Sequence, residues 1–228
     1  MDIKEAIRSR HSVRRFKDTP IEDAAKTRLN EVIEECNQES GHHFQLICDD
    51  PGCFSSFLAH YGKFKNVRNY IAIVASTLPN DYEESCGYFG EKVVLEAQML
   101  GLNTCWVGGT FSKGKCKAKI AEGEKLVAVI AIGYGENQGA VHTSKPMEKL
   151  CTVPESEMPD WFKEGVEAAL MAPTAINQQK FVIELRDGVA NIMSKKGPFC
   201  RVDLGIVAYN FEAASGHEIA RVSSLKQF

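Results

Sequence analysis

Missing from this chain are the signatures that would settle its class at once. Its eight cysteines, at 36, 48, 53, 86, 105, 116, 151 and 200, form no C-x-x-C pair and no metal-finger spacing, so no metal site is expected. Free, mostly buried thiols in a reducing compartment account for them, with a cysteine redox centre as the lesser alternative. No G-x-G-x-x-G dinucleotide fingerprint occurs. No apolar run approaches the length that spans a bilayer, and the first sixteen residues are too charged for a secretory signal. The cytoplasm is therefore the expected location. A net charge of -3 and a pI near 6.1 supply no global field for nucleic acid or an anionic membrane, so any anion must be held by a local cluster.

What is present is an ordinary globular composition, 44% hydrophobic and 25% charged over 228 residues, enough for one large or two small domains with a core of their own. Ile3, Ala6 and Ile7 behind Asp2 predict a short helix leading into the basic stretch Arg8 to Arg15. A second helix opens at Thr19-Pro20-Ile21-Glu22, carries the stripe Leu29, Val32, Ile33 and Cys36, and gives way to a strand over Phe44 to Cys48. Pro51-Gly52 is a break, Phe54 to His60 a short helical piece, Tyr70 to Ala75 a strand, and Tyr88 to Leu100 a long helix stopping at Gly101. Leu126 to Ile132 reads as a central strand covered on both faces. After the turn-rich crossing from Glu136 to Pro159, Trp161 to Met171 is helical, Phe181 to Leu185 strand-like and Leu204 to Ala214 helical.

The pattern therefore restarts. Sliding the chain by 137 positions lays Leu29 to Asp50 on Val166 to Asp187, and a shift of 115 lays Gly90 and Gly101 on Gly205 and Gly216. Pattern rather than identity supports an internal duplication, against the alternative of two unrelated helix–strand units. The expected division is a first half over 1–150 and a second over 151–228.

Four segments concentrate chemistry. Arg8 to Phe16, reading RSRHSVRRF, offers arginines and serines on the turn after a helix, where guanidinium groups fork onto phosphate oxygens; a solvated basic face is the alternative. Gly101 to Phe111 reads GLNTCWVGGTF, with paired glycines that permit close backbone approach or simply turn the chain. Ile132 to Gly135, with His142 to Pro146, ends a strand and brings a Lys-Pro. Ala172 to Gln179 reads APTAINQQ.

Taken together and in this order, these segments resemble the motifs of the FMN-dependent nitroreductase family. The resemblance covers most of the chain and is loosest over 51–70 and 186–202. It implies an α+β fold with central mixed or antiparallel sheets flanked by helices. It also implies FMN as cofactor, and NAD(P)H and a small electron acceptor such as a nitroaromatic or quinone as partners. By that resemblance Arg10, Ser12 and Arg14 reach the phosphate, ribityl chain and pyrimidine edge, with His11 contributing mainly backbone. Gly109, with Gly108 beside it, lies against the ring near N5, the hydride-accepting atom. Ser144 and Lys145 belong to the segment that closes on the phosphate, Lys145 as a third cation. Pro173, Thr174, Ala175 and Asn177 belong to the loop that the partner subunit of ordinary members supplies. Lys63 and Lys65 are further candidates at the pyrimidine edge. No side-chain acid or base is assigned a catalytic role.

Two departures are informative. Thr174 replaces the usual serine and Lys180 the usual proline. The loop motif also stands in the second half, where ordinary members carry it early; the early position here reads Glu35-Cys36-Asn37-Gln38-Glu39-Ser40. The closest resemblance is thus to a branch whose single chain is a fused pseudo-dimer, and a monomer is the expected functional unit. An FMN-binding protein that stores or senses flavin shares every motif, and specialised flavin chemistry such as dehydrogenation or reductive dehalogenation fits the same scaffold. An interaction module without flavin requires the four matches to be accidental.

Overall fold

The computed structural model describes residues 1–222 and divides them into two compact units. They are not the contiguous halves expected from a cut at residue 150. One unit comprises Ser9–Tyr82 and Val93–Val141; the other comprises Met1–Arg8, Glu83–Lys92 and the chain from His142 onward. The first helix and the start of the long central helix group with the C-terminal part. A linear reading of the sequence has no signal for that regrouping, because it follows from tertiary packing.

The first of these units is built on a four-stranded sheet, β1 (Gln45–Ile47), β2 (Asn69–Ser76), β3 (Asn103–Val107) and β4 (Glu124–Gly133), in the order β1-β2-β4-β3. Every pairing is antiparallel, with Tyr70 opposite Ala131 and Cys105 opposite Ala131 on the other side. β4 is buried from Leu126 to Gly133, as its unbroken apolar run predicts. Its sheet lacks parallel neighbours, so burial on both faces rather than strand direction sets the pattern. The helix α2 (Asp23–Ser40) buries Ala25, Leu29, Val32, Ile33 and Cys36, each large apolar side chain contributing about 1.5–3 kcal/mol. It runs through Asn37 to Ser40, past the expected end, and stops at Gly41 in the left-handed conformation. On the sheet, Phe16, Phe54, Phe64 and Tyr70 join Val74, Val107 and Val129 in one apolar cluster.

The other unit pairs α5 (Asp160–Ala169) with α6 (Cys200–Ser215) beside a three-stranded sheet of β5 (Phe181–Arg186), β6 (Val189–Ser194) and β7 (Ile219–Val222). β5 and β6 are antiparallel, β6 and β7 parallel. Phe162 and Phe211 meet edge to face, with Trp161 stacked on His217. The helix α4 (Tyr82–Met99) crosses α6 closely within this unit. A Cβ on Gly205 would stand 1.9 Å from the Glu84 carbonyl oxygen, so only glycine fits there and any side chain forces the helices apart. The helix α1 (Ile3–Ser9) begins with a reciprocal cap, in which the Glu5 N–H donates to Asp2 Oδ1 (2.8 Å) and the Asp2 N–H to Glu5 Oε2 (3.1 Å). The helix α3 (Phe57–Tyr61) is the short piece expected after Pro51-Gly52.

With the short α3 between β1 and β2 set aside, helix, strand, strand, helix and strand occur in that order twice, as α2, β1, β2, α4, β3 and as α5, β5, β6, α6, β7. The starts of α2 and α5, Asp23 and Asp160, are separated by the 137 positions of the sequence overlay. α4 and α6 both begin earlier than their periodicity suggests, because their first turns carry polar residues such as Glu83, Glu84 and Asp203. The strands β3, β6 and β7 are not anticipated as strands by the sequence reading.

Candidate functional site

The basic segment lies in the four-stranded unit and is docked by its main chain on both sides. The Val13 N–H donates to the Thr104 carbonyl at 3.0 Å, a bridge that seats Ser12 beside Thr104 on β3. On the other side the Phe16 N–H donates to the Lys65 carbonyl (3.1 Å) and the Lys65 N–H to the Arg14 carbonyl (2.9 Å). Lys65, a candidate by resemblance, is thereby held against the arginines, and its ammonium pairs with Glu136 at 2.9 Å. Arg10 is 3% exposed, whereas Arg14 is exposed. A buried guanidinium is costly unless it is partnered, so Arg10 at least is not part of a solvated basic face.

β3 carries the segment's electrostatic imprint. Burial pushes the Cys105 thiol up, opposed by the Arg14 charge, a hydrogen bond from Ser12 and the Arg10 charge. Arg10, Ser12 and Arg14 are therefore gathered around one point of β3, whose chain continues from Val107 into Gly108 and Gly109. Gly109 is exposed, a Cβ there would meet nothing within 4 Å, and its φ is not in the left-handed range. Neither turn geometry nor packing within the protein calls for glycine at this position.

The far edge of the segment is fixed by Asn103, which the sequence reading missed. Its buried side chain accepts from the Gly135 N–H at 2.9 Å and donates to Gln138 Oε1 at 2.9 Å. The Gln138 carbonyl in turn contacts His11 Nδ1 at 3.2 Å. The only available signal is a polar residue at the start of an otherwise apolar strand. An open cleft of ≈ 840 Å³ borders the same region, lined by Arg15, Phe54, Lys63, Phe64, Lys65 and Arg68 among others.

The remaining candidates, Ser144, Lys145, Pro173, Thr174, Ala175 and Asn177, lie in the other unit, and there they converge. Gln179, 3% exposed, is the hub. Its side chain accepts from the Lys145 N–H (2.7 Å) and donates to the Thr143 carbonyl (3.0 Å) and Asn177 Oδ1 (2.8 Å). Its own N–H donates to Thr174 Oγ1 at 3.0 Å, which leaves the Thr174 hydroxyl proton available to an outside acceptor. Asn177 Nδ2 donates to the Thr143 carbonyl (2.9 Å) and Ser144 Oγ to the Leu170 carbonyl (2.8 Å). Lys145, expected as a phosphate cation, spends its ammonium on the carbonyls of Gln178 (2.5 Å) and Gln179 (3.3 Å), so its first task is to hold the loop.

That loop is strained. Ile176, Asn177 and Gln179 have φ of 48°, 54° and 46°, conformations costing of order 1–3 kcal/mol each outside glycine. Ile176 is 90% exposed. Asp203, also missed, anchors the loop from α6, accepting from the Ala175 N–H (2.8 Å) and Gln178 Nε2 (2.7 Å). Burial pushes its carboxyl up to about 6, opposed by those two hydrogen bonds. A lone acid in the apolar run of α6 was the available signal.

Among the described residues no cluster of His, Cys, Asp or Glu could hold a metal, no helix is long and apolar enough to cross a membrane, and all eight cysteines are free.

Comparison with known proteins places this geometry. A family model described as "Putative TM nitroreductase" matches residues 2–215. The crystal structure of a "putative nitroreductase" from Thermotoga maritima is similar with a TM-score of 0.68 at 22% identity, over 96% of this chain and 87% of that one. A "putative nitroreductase in complex with fmn" from Desulfovibrio desulfuricans is similar with a TM-score of 0.55 at 20% identity, over 69% of this chain and 98% of that one. Comparison with curated proteins gave no match. The structural likenesses carry the fold, α+β with helices and antiparallel and mixed sheets, and the family match carries the rest: the chain belongs to the "Putative TM nitroreductase" family.

Proposed function

We propose that this chain binds FMN and works as an NAD(P)H-dependent oxidoreductase delivering electrons to a small acceptor such as a nitroaromatic or quinone. The observation that carries the reading is the docking of Arg10, Ser12 and Arg14 on β3, which leads to a glycine pair with open space at Gly109. Those residues fit the group. Two guanidinium groups and a hydroxyl suit a terminal phosphate and its polyol chain, and a glycine that the protein's own packing does not require leaves a planar ring free to approach the backbone.

Bound FMN supplies hydride acceptance and donation, chemistry that amino-acid side chains lack. The chain's own residues do the remainder. Arg10 and Arg14 neutralise the phosphate and Ser12 donates to the polyol; Lys63 is a further candidate for positive charge at the pyrimidine edge, and Lys65, paired with Glu136, is a candidate only by releasing that partner. The Gly109 main chain offers a donor without steric cost. By the family resemblance, Ser144, Lys145, Pro173, Thr174, Ala175 and Asn177 are further candidate flavin contacts. The twice-occurring element order supports reading the chain as a fused pair, so one chain is the functional unit and holds one FMN.

The test is direct. Purified or FMN-reconstituted protein should release FMN, not FAD, on chromatography, at one per chain, and anaerobic titration with NADH or NADPH should bleach the flavin absorbance. Recovery of FAD alone, or of no flavin after reconstitution, overturns the reading. Flavin that binds but resists both nicotinamides reduces the protein to a flavin carrier.

A further inference from the structure

The open cleft beside the docked basic segment is lined by four cations, Arg15, Lys63, Lys65 and Arg68. Arg68 pairs with Asp18 at 3.2 Å and with Asp49, and Lys65 pairs with Glu136 at 2.9 Å. Among the described residues no carboxylate pairs with Arg15 or Lys63, and both are exposed. We propose, on the flavin reading above, that this cleft receives the adenosine 2′-phosphate of the electron donor, so that the chain takes NADPH in preference to NADH, with Arg15 as the residue that discriminates.

The main chain sets this wall. Arg15 and Lys65 form a parallel bridge, fixed by the Phe16 N–H on the Lys65 carbonyl and the Lys65 N–H on the Arg14 carbonyl. Lys63 and Asn66 have φ of 62° and 55°, so two residues of the wall are held in a conformation that side chains other than glycine adopt at a cost. The Phe64 N–H donates to the Ala59 carbonyl at 3.1 Å and keeps the turn closed. Phe54 and Phe64, edge to face at 5.1 Å, supply apolar surface beside the charges. A volume of ≈ 840 Å³ lies within the ~300–1,000 Å³ of cofactor clefts. One end of the cleft meets the ring's approach: a Cβ on Gly62 would stand 2.9 Å from Thr110 Oγ1, so the turn that carries Lys63 packs on the residue following Gly109. A ligand extending from Gly109 past Thr110 enters the cleft at Lys63.

Charge decides between the two donors. NADPH and NADH share the nicotinamide and the pyrophosphate and differ by one phosphate, so only a group that meets that phosphate can tell them apart. Lys65 and Arg68 would have to release carboxylates to do so, whereas an unpaired guanidinium gains a partner without losing one. Arg15 is the unpaired cation that the flavin reading leaves unused, and Lys63 adds charge at the end of the cleft nearer Gly109. Because these side chains are exposed, the attraction is screened by salt.

In FMN-loaded protein at low ionic strength, kcat/KM for flavin reduction should be about tenfold or more higher with NADPH than with NADH, the effect of one added charge-assisted contact, and the ratio should fall as salt is raised. Arg15→Gln should bring the ratio most of the way to one. Lys119→Gln, which removes one exposed charge outside the cleft, should leave it unchanged. Adenosine 2′,5′-bisphosphate, titrated into unmodified protein with FMN present, should bind about tenfold more tightly than AMP, a readout that needs neither turnover nor a variant. Equal kcat/KM with both nucleotides reducing the flavin overturns the NADPH assignment and leaves the flavin reading standing. A preference for NADH, equal binding of the bisphosphate and AMP, or an NADPH preference that Arg15→Gln does not move also overturns it. Flavin that neither nucleotide reduces counts against the oxidoreductase reading instead, and the bisphosphate titration then decides the cleft by itself.

Discussion

The basic segment and the 172–179 loop carry comparable polar chemistry but are held in different ways. Residues 12–16 are fixed by main-chain bonds to Thr104 and Lys65, with Val13 and Phe16 buried in the core, so the exposed Arg14 side chain projects from a frame it does not build. The loop is fixed by side chains, with Gln179, Asn177, Lys145 and Asp203 offsetting the strain of three left-handed residues. The contrast teaches that substitution separates binding from folding in the first region and couples them in the second.

Asp203 gives the largest expected effect. Its folded value, about 6, lies above the ordinary aspartate value of 3.8, with burial the first cause. Its contribution to stability is fully present below 3.8, where the carboxyl is protonated in both states, and is lost as pH rises through 6. At 1.36 kcal/mol per unit the swing is ~3 kcal/mol. Urea unfolding of the native protein and of Asp203→Asn from pH 3.5 to 7 should show a stability difference that changes by about that amount in this window. A pH-independent difference would mean that the carboxyl is not held in a desolvated site.

On the other side of the comparison, replacing Arg10 and Arg14 together by Ala should weaken FMN by more than ~2 kcal/mol in calorimetric titration, since charge-assisted bonds are worth about 1.5–3 kcal/mol each. Unchanged affinity would return the segment to a solvated basic face. A smaller effect sharpens the contrast. Gln179→Ala should cost about 1–2 kcal/mol of folding stability through buried groups left unmatched, while Arg14→Ala, whose side chain is exposed, should stay within about 0.5 kcal/mol. Equal losses in the two variants would erase the distinction.

The same contrast explains what could be read in the sequence. The docked segment was legible because its chemistry is local: four basic residues and two serines fall within eight positions. β4 and the α2 stripe were legible because burial imposes an apolar pattern on them. The roles of Gln179, Asp203 and Asn103 were not, because each acts through partners far along the chain or through a backbone conformation that no local pattern encodes. β3 escaped notice as a strand because its residues were already absorbed into a glycine motif. The packing of the start of α4 on α6 turns on Gly205, whose Cβ position lies against the Glu84 and Tyr88 backbone, and a lone glycine in a helix does not announce this.

At the exposed Gly109 a Cβ would meet nothing within 4 Å, so a side chain there costs the fold nothing and obstructs only what approaches the backbone from outside. Gly109→Val should therefore unfold at the same urea concentration as the native protein, within about 0.5 kcal/mol. Measured on that variant, FMN affinity or the rate of flavin reduction by NAD(P)H should fall about tenfold or more, the cost of ~1.4 kcal/mol or more of overlap at the backbone. Native affinity together with native reduction kinetics would contradict the placement of the flavin against β3 and Gly109.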